Sequence, residues 1–95
     1  MIEFEWDPAK NRTNKTKHGI TFEEASTVFY DPNSRIIPDP DHSDDEERFI
    51  LLGLSENLKL LVVCHCYKKN DQLIRIYSAR KANKSETMTY KEYLK

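Results

Sequence analysis

Long apolar runs are absent from this chain. The longest, Leu60 to Cys64, falls far short of the roughly 20 residues that cross a bilayer as a helix. The first residues, Met1-Ile2-Glu3-Phe4-Glu5-Trp6, carry two acids and no apolar stretch, so no targeting segment is expected. Glycine is scarce, with only Gly19 and Gly53, which leaves no loop able to cradle a phosphate. Cysteine is equally scarce. Cys64 and Cys66 would face the same way on a strand, which is poor geometry for a mutual disulfide. Reduced thiols in a cytoplasmic protein are the simplest reading. His65 sits between them, but strand alternation sends it to the opposite face. The three make a poor zinc set, the cysteines read better as small core residues, and neither a metal nor a cofactor is expected. No spacing marks a Ser-His-Asp arrangement, and no internal repeat or low-complexity segment is present.

What is present suits one small globular domain spanning residues 1–95. Hydrophobic residues make up 38% and charged residues 33% of the chain, enough for a modest core. The net charge of −1 hides an uneven distribution. Asp31 to Glu47 holds seven acids and one base, whereas Arg48 to Lys95 holds ten bases and four acids, a net of +6. A basic half favours an anionic partner, although such runs are also what a solvated surface looks like.

Local signals order the elements. Ile2, Phe4 and Trp6 alternate with Glu3 and Glu5, as in a short strand or extended arm with one buried face. Asp7-Pro8 opens a helix that should run to about His18, with Gly19 as its left-handed cap. Its surface is almost wholly polar, so few contacts or some other cover must hold it. Thr21 and Glu24 form a capping box for a second helix carrying Phe22, Ala25, Val28 and Phe29 on one stripe, and Asp31-Pro32 ends it. Strands are expected over 34–38, 46–54, 58–67 and 72–80, with 39–45 as a loop and hairpin-length connections between the last three. A final helix begins near Asn83, with Glu86 completing a second box. The pattern predicts an α+β fold: an antiparallel sheet of about four strands, two N-terminal helices and one C-terminal helix.

The chemistry on this frame is a set of strand-borne cations, imidazoles and phenols. Strict alternation would place Lys59, Leu61, Val63, His65 and Tyr67 on one face of their strand. On the last strand it would put Leu73, Arg75, Tyr77 and Ala79 on one face and Ile74, Ile76, Ser78 and Arg80 on the other. Such a surface suits RNA, because cations hold phosphates and rings stack on bases. Metal-free phosphodiester cleavage needs a proton acceptor, a proton donor and cations for the transition state. His18, His42 and His65 are the available imidazoles, and Arg48, Arg75, Arg80 and Lys81 the strand-borne cations. Spacing does not say which of these converge. A helix-end, loop or core role accounts equally well for each histidine, and ion pairs to the acidic loop for the arginines.

Several blocks then fall into a familiar order. Phe4-Glu5-Trp6-Asp7-Pro8-Ala9-Lys10, Asn14, Lys17-His18-Gly19-Ile20 and Phe22-Glu23-Glu24-Ala25 resemble the N-terminal signature of BrnT toxins. Asp31-Pro32, Pro38-Asp39-Pro40-Asp41-His42-Ser43, Glu47-Arg48-Phe49 and Ile74 to Ala82 resemble the rest. The resemblance implies a RelE/ParE-like fold and a metal-independent endoribonuclease that halts translation and growth. It implies as partners an RNA substrate and a BrnA-like ribbon-helix-helix antitoxin, with a heterotetramer as the expected assembly, DNA contacted only through that antitoxin and no membrane involved. Carried over residue by residue, it gives His18, Arg48, Arg75 and Arg80 as catalytic candidates. Lys10, Lys17, His65, Tyr67, Tyr77 and Lys81 are the RNA-binding candidates. A non-nuclease toxin of the same fold, acting on a protein target, is the alternative, as is an inactive relative confined to antitoxin binding and operon repression.

Overall fold

The computed structural model describes residues 2–38 and 48–94. The acidic 39–47 loop, with His42 and the first two residues of the strand expected from 46, lies outside them. The elements run β1 (Glu3–Glu5), α1 (Pro8–His18), α2 (Phe22–Thr27), a 3₁₀ turn (Val28–Tyr30), β2 (Arg35–Pro38), β3 (Phe49–Leu54), β4 (Leu60–Lys68), β5 (Leu73–Lys81) and α3 (Lys84–Tyr93). The class is α+β, as expected, but the sheet has five strands in the order β1-β5-β4-β3-β2. The additional one is the N-terminal arm, which pairs in parallel with β5 from Glu3↔Leu73 to Glu5↔Arg75. The sheet is therefore mixed, not antiparallel. A three-residue strand carries no sequence signal for which neighbour it will join.

The helix boundaries follow their caps. Asp7 Oδ1 accepts from the Ala9 N–H at 2.9 Å, and Gly19 ends α1 at φ 73°, its N–H donating to Lys15. In α3, Asn83 and Glu86 form both halves of the box. The Thr21 box is only half made. Thr21 Oγ1 accepts from Glu24 N–H at 3.1 Å, but the Glu24 carboxylate turns inward to accept from Ser55 Oγ at 2.7 Å. Lys59 Nζ stands 3.8 Å from it. A buried carboxylate needs such partners, and the β3–β4 hairpin supplies better ones than a helix end does.

The larger core cluster lies on the α2 side of the sheet: Ile20, Phe22, Ala25 and Val28 meet Leu51, Leu61, Val63, Ile74, Ile76 and Ala79. Each large side chain buried there contributes about 2 kcal/mol. Gly53 is required by this packing. A Cβ at that position would lie 2.9 Å from both Ser34 Cβ and Val28 Cγ1. The opposite sheet face is not wholly open, because α3 covers one end with Tyr90 against Leu52 and Val62.

Two features of β5 overturn simple alternation and position everything below. First, the β4 register steps from Cys64↔Ser78 to His65↔Ile76, so Tyr77 is an extra, bulged residue. A bulge shifts the side-chain phase by one. Ala79 therefore joins Ile74 and Ile76 in the core, while Arg75 and Arg80, expected on opposite faces, share one face, opposite Cys66 and Val62. Second, β1 ends opposite Arg75 and α1 takes over beside β5. Asn14, buried, donates to the carbonyls of Ala79 and Ile20 at 2.8 Å each and accepts from Ala79 N–H at 3.1 Å. One side-chain amide thus serves as a strand partner. This explains how a nearly all-polar helix is held: its anchor is a buried hydrogen-bonding group, not an apolar stripe.

Candidate functional site

The bulge lifts Tyr77 to the half-buried surface where the end of β1, the start of α1, the start of β3 and β5 meet. Three cations surround its ring. The Arg48 guanidinium lies 3.9 Å from the ring centroid, Lys10 Nζ 5.7 Å and the Arg75 guanidinium 5.9 Å. These distances permit cation–π attraction, strongest for Arg48. The Tyr77 hydroxyl is 3.2 Å from Cys66 Sγ, which packs beneath it in the sheet. Ring and thiol together fix the height at which the cations stand.

From Tyr77 a shallow groove of about 310 Å³ runs along α1, lined by Lys10, Thr13, Lys17, His18, Tyr77 and Ser78 among others. Successive side chains on one helix face recur at i, i+3, i+4 and i+7, which is the spacing of Lys10, Thr13, Asn14 and Lys17. Asn14 turns that face onto β5, so Lys10 and Lys17 flank the anchor. His18 closes the far end from the last turn of the helix.

Two carboxylates border this cationic surface. Glu5 accepts from Arg75 Nη1 at 2.8 Å across the β1–β5 pair. The Arg75 hydrogen bond holds the Glu5 carboxyl below its usual range against desolvation, with the charges of Arg75, Lys68 and Lys69 adding to it. The same bond raises Arg75, with desolvation opposing it and Glu5, Tyr77 and Asp7 adding electrostatic support. Asp7 is thus close enough to feel Arg75, although its side chain is spent capping α1. Neither acid was among the sequence-derived candidates. The signal was their position at the strand-to-helix junction Glu5-Trp6-Asp7-Pro8, beside a strand whose pairing was not legible.

The structure brings together six of the ten candidates: Lys10, Lys17, His18, Arg48, Arg75 and Tyr77. The other four lie elsewhere. Arg80 makes two 2.8 Å bonds to the Glu86 carboxylate, Nη1 to Oε1 and Nη2 to Oε2, joining β5 to α3. Lys81 is exposed at the end of β5, opposite Leu61. His65 is 0% exposed, on the core face of β4. Its Nδ1 lies 3.1 Å from the Val63 carbonyl, which only accepts, so Nδ1 carries the proton and Nε2 accepts from the Tyr67 hydroxyl at 3.3 Å. Phe29 meets the imidazole edge-on at 4.8 Å. Burial pushes His65 below its ordinary value of 6.5, the Val63 bond only partly opposing it. Tyr67, half-buried, is drawn into the same aromatic cluster with Phe49. A neutral, enclosed imidazole reaches no RNA at the surface, and its position follows from the alternation that puts it on the face of Leu61 and Val63.

Among the described residues no three His, Cys, Asp or Glu side chains group as a metal set, and no helix is long and apolar enough to cross a membrane. A family model described as the ribonuclease toxin BrnT of type II toxin–antitoxin systems matches residues 6–86. Among solved structures, the crystal structure of the Brucella abortus ribonuclease toxin BrnT is similar. Its TM-score is 0.67 at 20% sequence identity, and the match covers 88% of this chain and 100% of that one. At that identity the likeness is one of fold. No curated protein sequence matches the chain.

Proposed function

Because the chain belongs to the BrnT family of ribonuclease toxins of type II toxin–antitoxin systems, we propose that it is itself a metal-independent endoribonuclease, acting in the cytoplasm as one domain of residues 1–95. The observation that carries this reading is the cationic surface around Tyr77, continuous with the α1 groove. Arg48 and Arg75 stabilise the charge that builds on a phosphate in the transition state. Lys10 and Lys17 hold neighbouring phosphates, and Tyr77 supports the cations from below. His18, at the far end of the groove, is the imidazole the RNA strand meets there. Arg80 and Lys81 are left out of the reacting centre, Arg80 because both of its amino groups are given to Glu86 whereas Arg75 gives one to Glu5, and His65 and Tyr67 because they belong to the core.

An antitoxin partner follows from the family. We take it to be a BrnA-like ribbon-helix-helix protein that covers the toxin in a heterotetramer and represses the operon, with DNA touched only through that partner. The test is to induce the chain alone in a bacterial host and follow growth and RNA integrity together, with Arg48→Ala as control. Arrest with RNA cleavage, abolished in the variant, is the expected result. Purified chain should cut the same RNA in excess chelator. Arrest with intact RNA would instead point to a protein target. One observation favours an inactive relative, namely that Arg75 and Arg80 both already hold carboxylates; absence of any arrest would support it.

A further inference from the structure

Among the described residues, the cationic surface lacks an obvious proton acceptor. Lys10, Arg48 and Arg75 present N–H donors, and Tyr77 presents a phenol ring to them. His65 is enclosed, and His18 sits at the far end of the groove. Among the described residues, the carboxylates beside the cations are Glu5 and Asp7, and Asp7 is committed to the Ala9 N–H. Glu5 remains. It stands on β1 with its side chain 36% exposed, bonded to the guanidinium that is itself next to Tyr77.

We infer that Glu5 is the general base of the cleavage, presented to the RNA 2′-hydroxyl by Arg75, which spans the base and the scissile phosphate. This rests on the ribonuclease reading and adds the residue that reading lacks. The Glu5 carboxylate takes the proton of the 2′-hydroxyl. The 2′-oxygen attacks phosphorus, the bond from phosphorus to the 5′-oxygen breaks, and a water molecule gives a proton to that leaving oxygen. The products are a 2′,3′-cyclic phosphate and a free 5′-hydroxyl, and the Glu5 carboxyl returns its proton to the hydroxide left in solvent. The pairing serves both partners. A carboxylate held by a guanidinium stays ionised when a polyanion arrives, and the guanidinium keeps donors to spare for phosphate oxygens. Among the described residues, the charged groups that act on Glu5 are Arg75 from β5, Lys68 from the end of β4 and Lys69 from the turn after it, while Tyr77 and Asp7 act on Arg75 itself. All three groups acting on Glu5 are cations, so the acid limb of activity should fall below the ordinary glutamate range.

The experiment measures kcat/KM against pH on one RNA for the wild-type chain, Glu5→Gln and Glu5→Asp, with thermal melts alongside. Expected is a fall of about 100-fold or more in Glu5→Gln with loss of the acid limb, and partial activity with the limb restored in Glu5→Asp. The melts need not match, because a structural role would lower activity at every pH without moving the limb. Wild-type chain that cuts RNA while Glu5→Gln keeps both its rate and its acid limb overturns the role of Glu5 alone. Wild-type chain that cuts no RNA overturns the ribonuclease reading, and Glu5 with it.

Discussion

Arg75 and Arg80 stand on one strand and, because of the bulge between them, on one face of the sheet. Around Arg80 the face is closed by bonding, not by burial, since its side chain is 41% accessible against 29% for Arg75. Glu86 takes both of its amino groups, and α3 continues from there to Tyr90. The Tyr90 hydroxyl donates to Asp31 Oδ2 at 2.7 Å, and that oxygen also accepts from Leu54 N–H at 2.8 Å. Around Arg75 the face is open in its bonding, with one such bond, from Nη1, among the described residues. Its carboxylate partner is a third exposed, and beyond Tyr77 begins a groove rather than a helix. The same residue type on the same face thus holds the fold at one end and offers donors to a ligand at the other. Charge alone does not separate the two roles; how many donors each arginine has already given to its carboxylate does.

The comparison breaks most decisively on activity. Replacing Arg75 or Arg48 with alanine should lower RNA cleavage by about 100-fold or more, with the purified variants melting within a few degrees of wild type. Equal loss in Arg80→Ala would erase the distinction between the two ends. The next effect is on stability at the closed end. Asp31 serves Leu54 N–H, Asn33 N–H and the Tyr90 hydroxyl. Burial raises its carboxyl, but the bonds from Leu54, Tyr90 and Asn33 outweigh it and hold the group low. Burial and Asp31 together push Tyr90 up to about 12. Asp31→Ala should therefore cost about 3 kcal/mol in denaturant unfolding and loosen α3.

A smaller change is expected for Arg80→Ala. The pair is partly exposed, with side chains 41% and 23% accessible, so its loss should cost about 1 kcal/mol or less and leave cleavage within a few-fold of wild type. The smallest effect is on pH dependence. His65 titrates below 6.5 in the fold, so under acid conditions the unfolded chain binds a proton that the folded chain refuses. Stability is then fully present above 6.5 and is lost as the pH falls below it. His65→Phe should flatten that slope in urea titrations while leaving the pH profile of cleavage unchanged, because the residue belongs to the core and not to the open end. A shifted cleavage profile would return His65 to the site.

Much of the frame was legible in short stretches of chain. Asp7-Pro8 and Gly19 bracket α1, Asn83 and Glu86 start α3, and the alternation around Leu61 and Val63 puts a strand on the core. Caps and periodicity act over three or four residues, and the physics that makes them is complete within that span. The candidate site was legible only as a set of residue types. Six of its members converge, but the list also held Arg80, whose partner six residues on was read only as a helix cap, and His65, whose face was read correctly and whose burial was not.

Family membership, the α+β class and the supply of cations on a basic half were written in the chain itself, because they depend on which residues are present and on local order. Three things waited for the tertiary structure. The parallel pairing of β1 brings Glu5 to Arg75 across 70 residues of sequence. The extra residue at Tyr77 changes which β5 side chains share a face. The Asn14 amide seats a polar helix against β5. Each depends on which backbone groups a distant segment leaves unpaired, and hydrogen-bond satisfaction of that kind is a property of the whole packed sheet, not of any stretch of sequence.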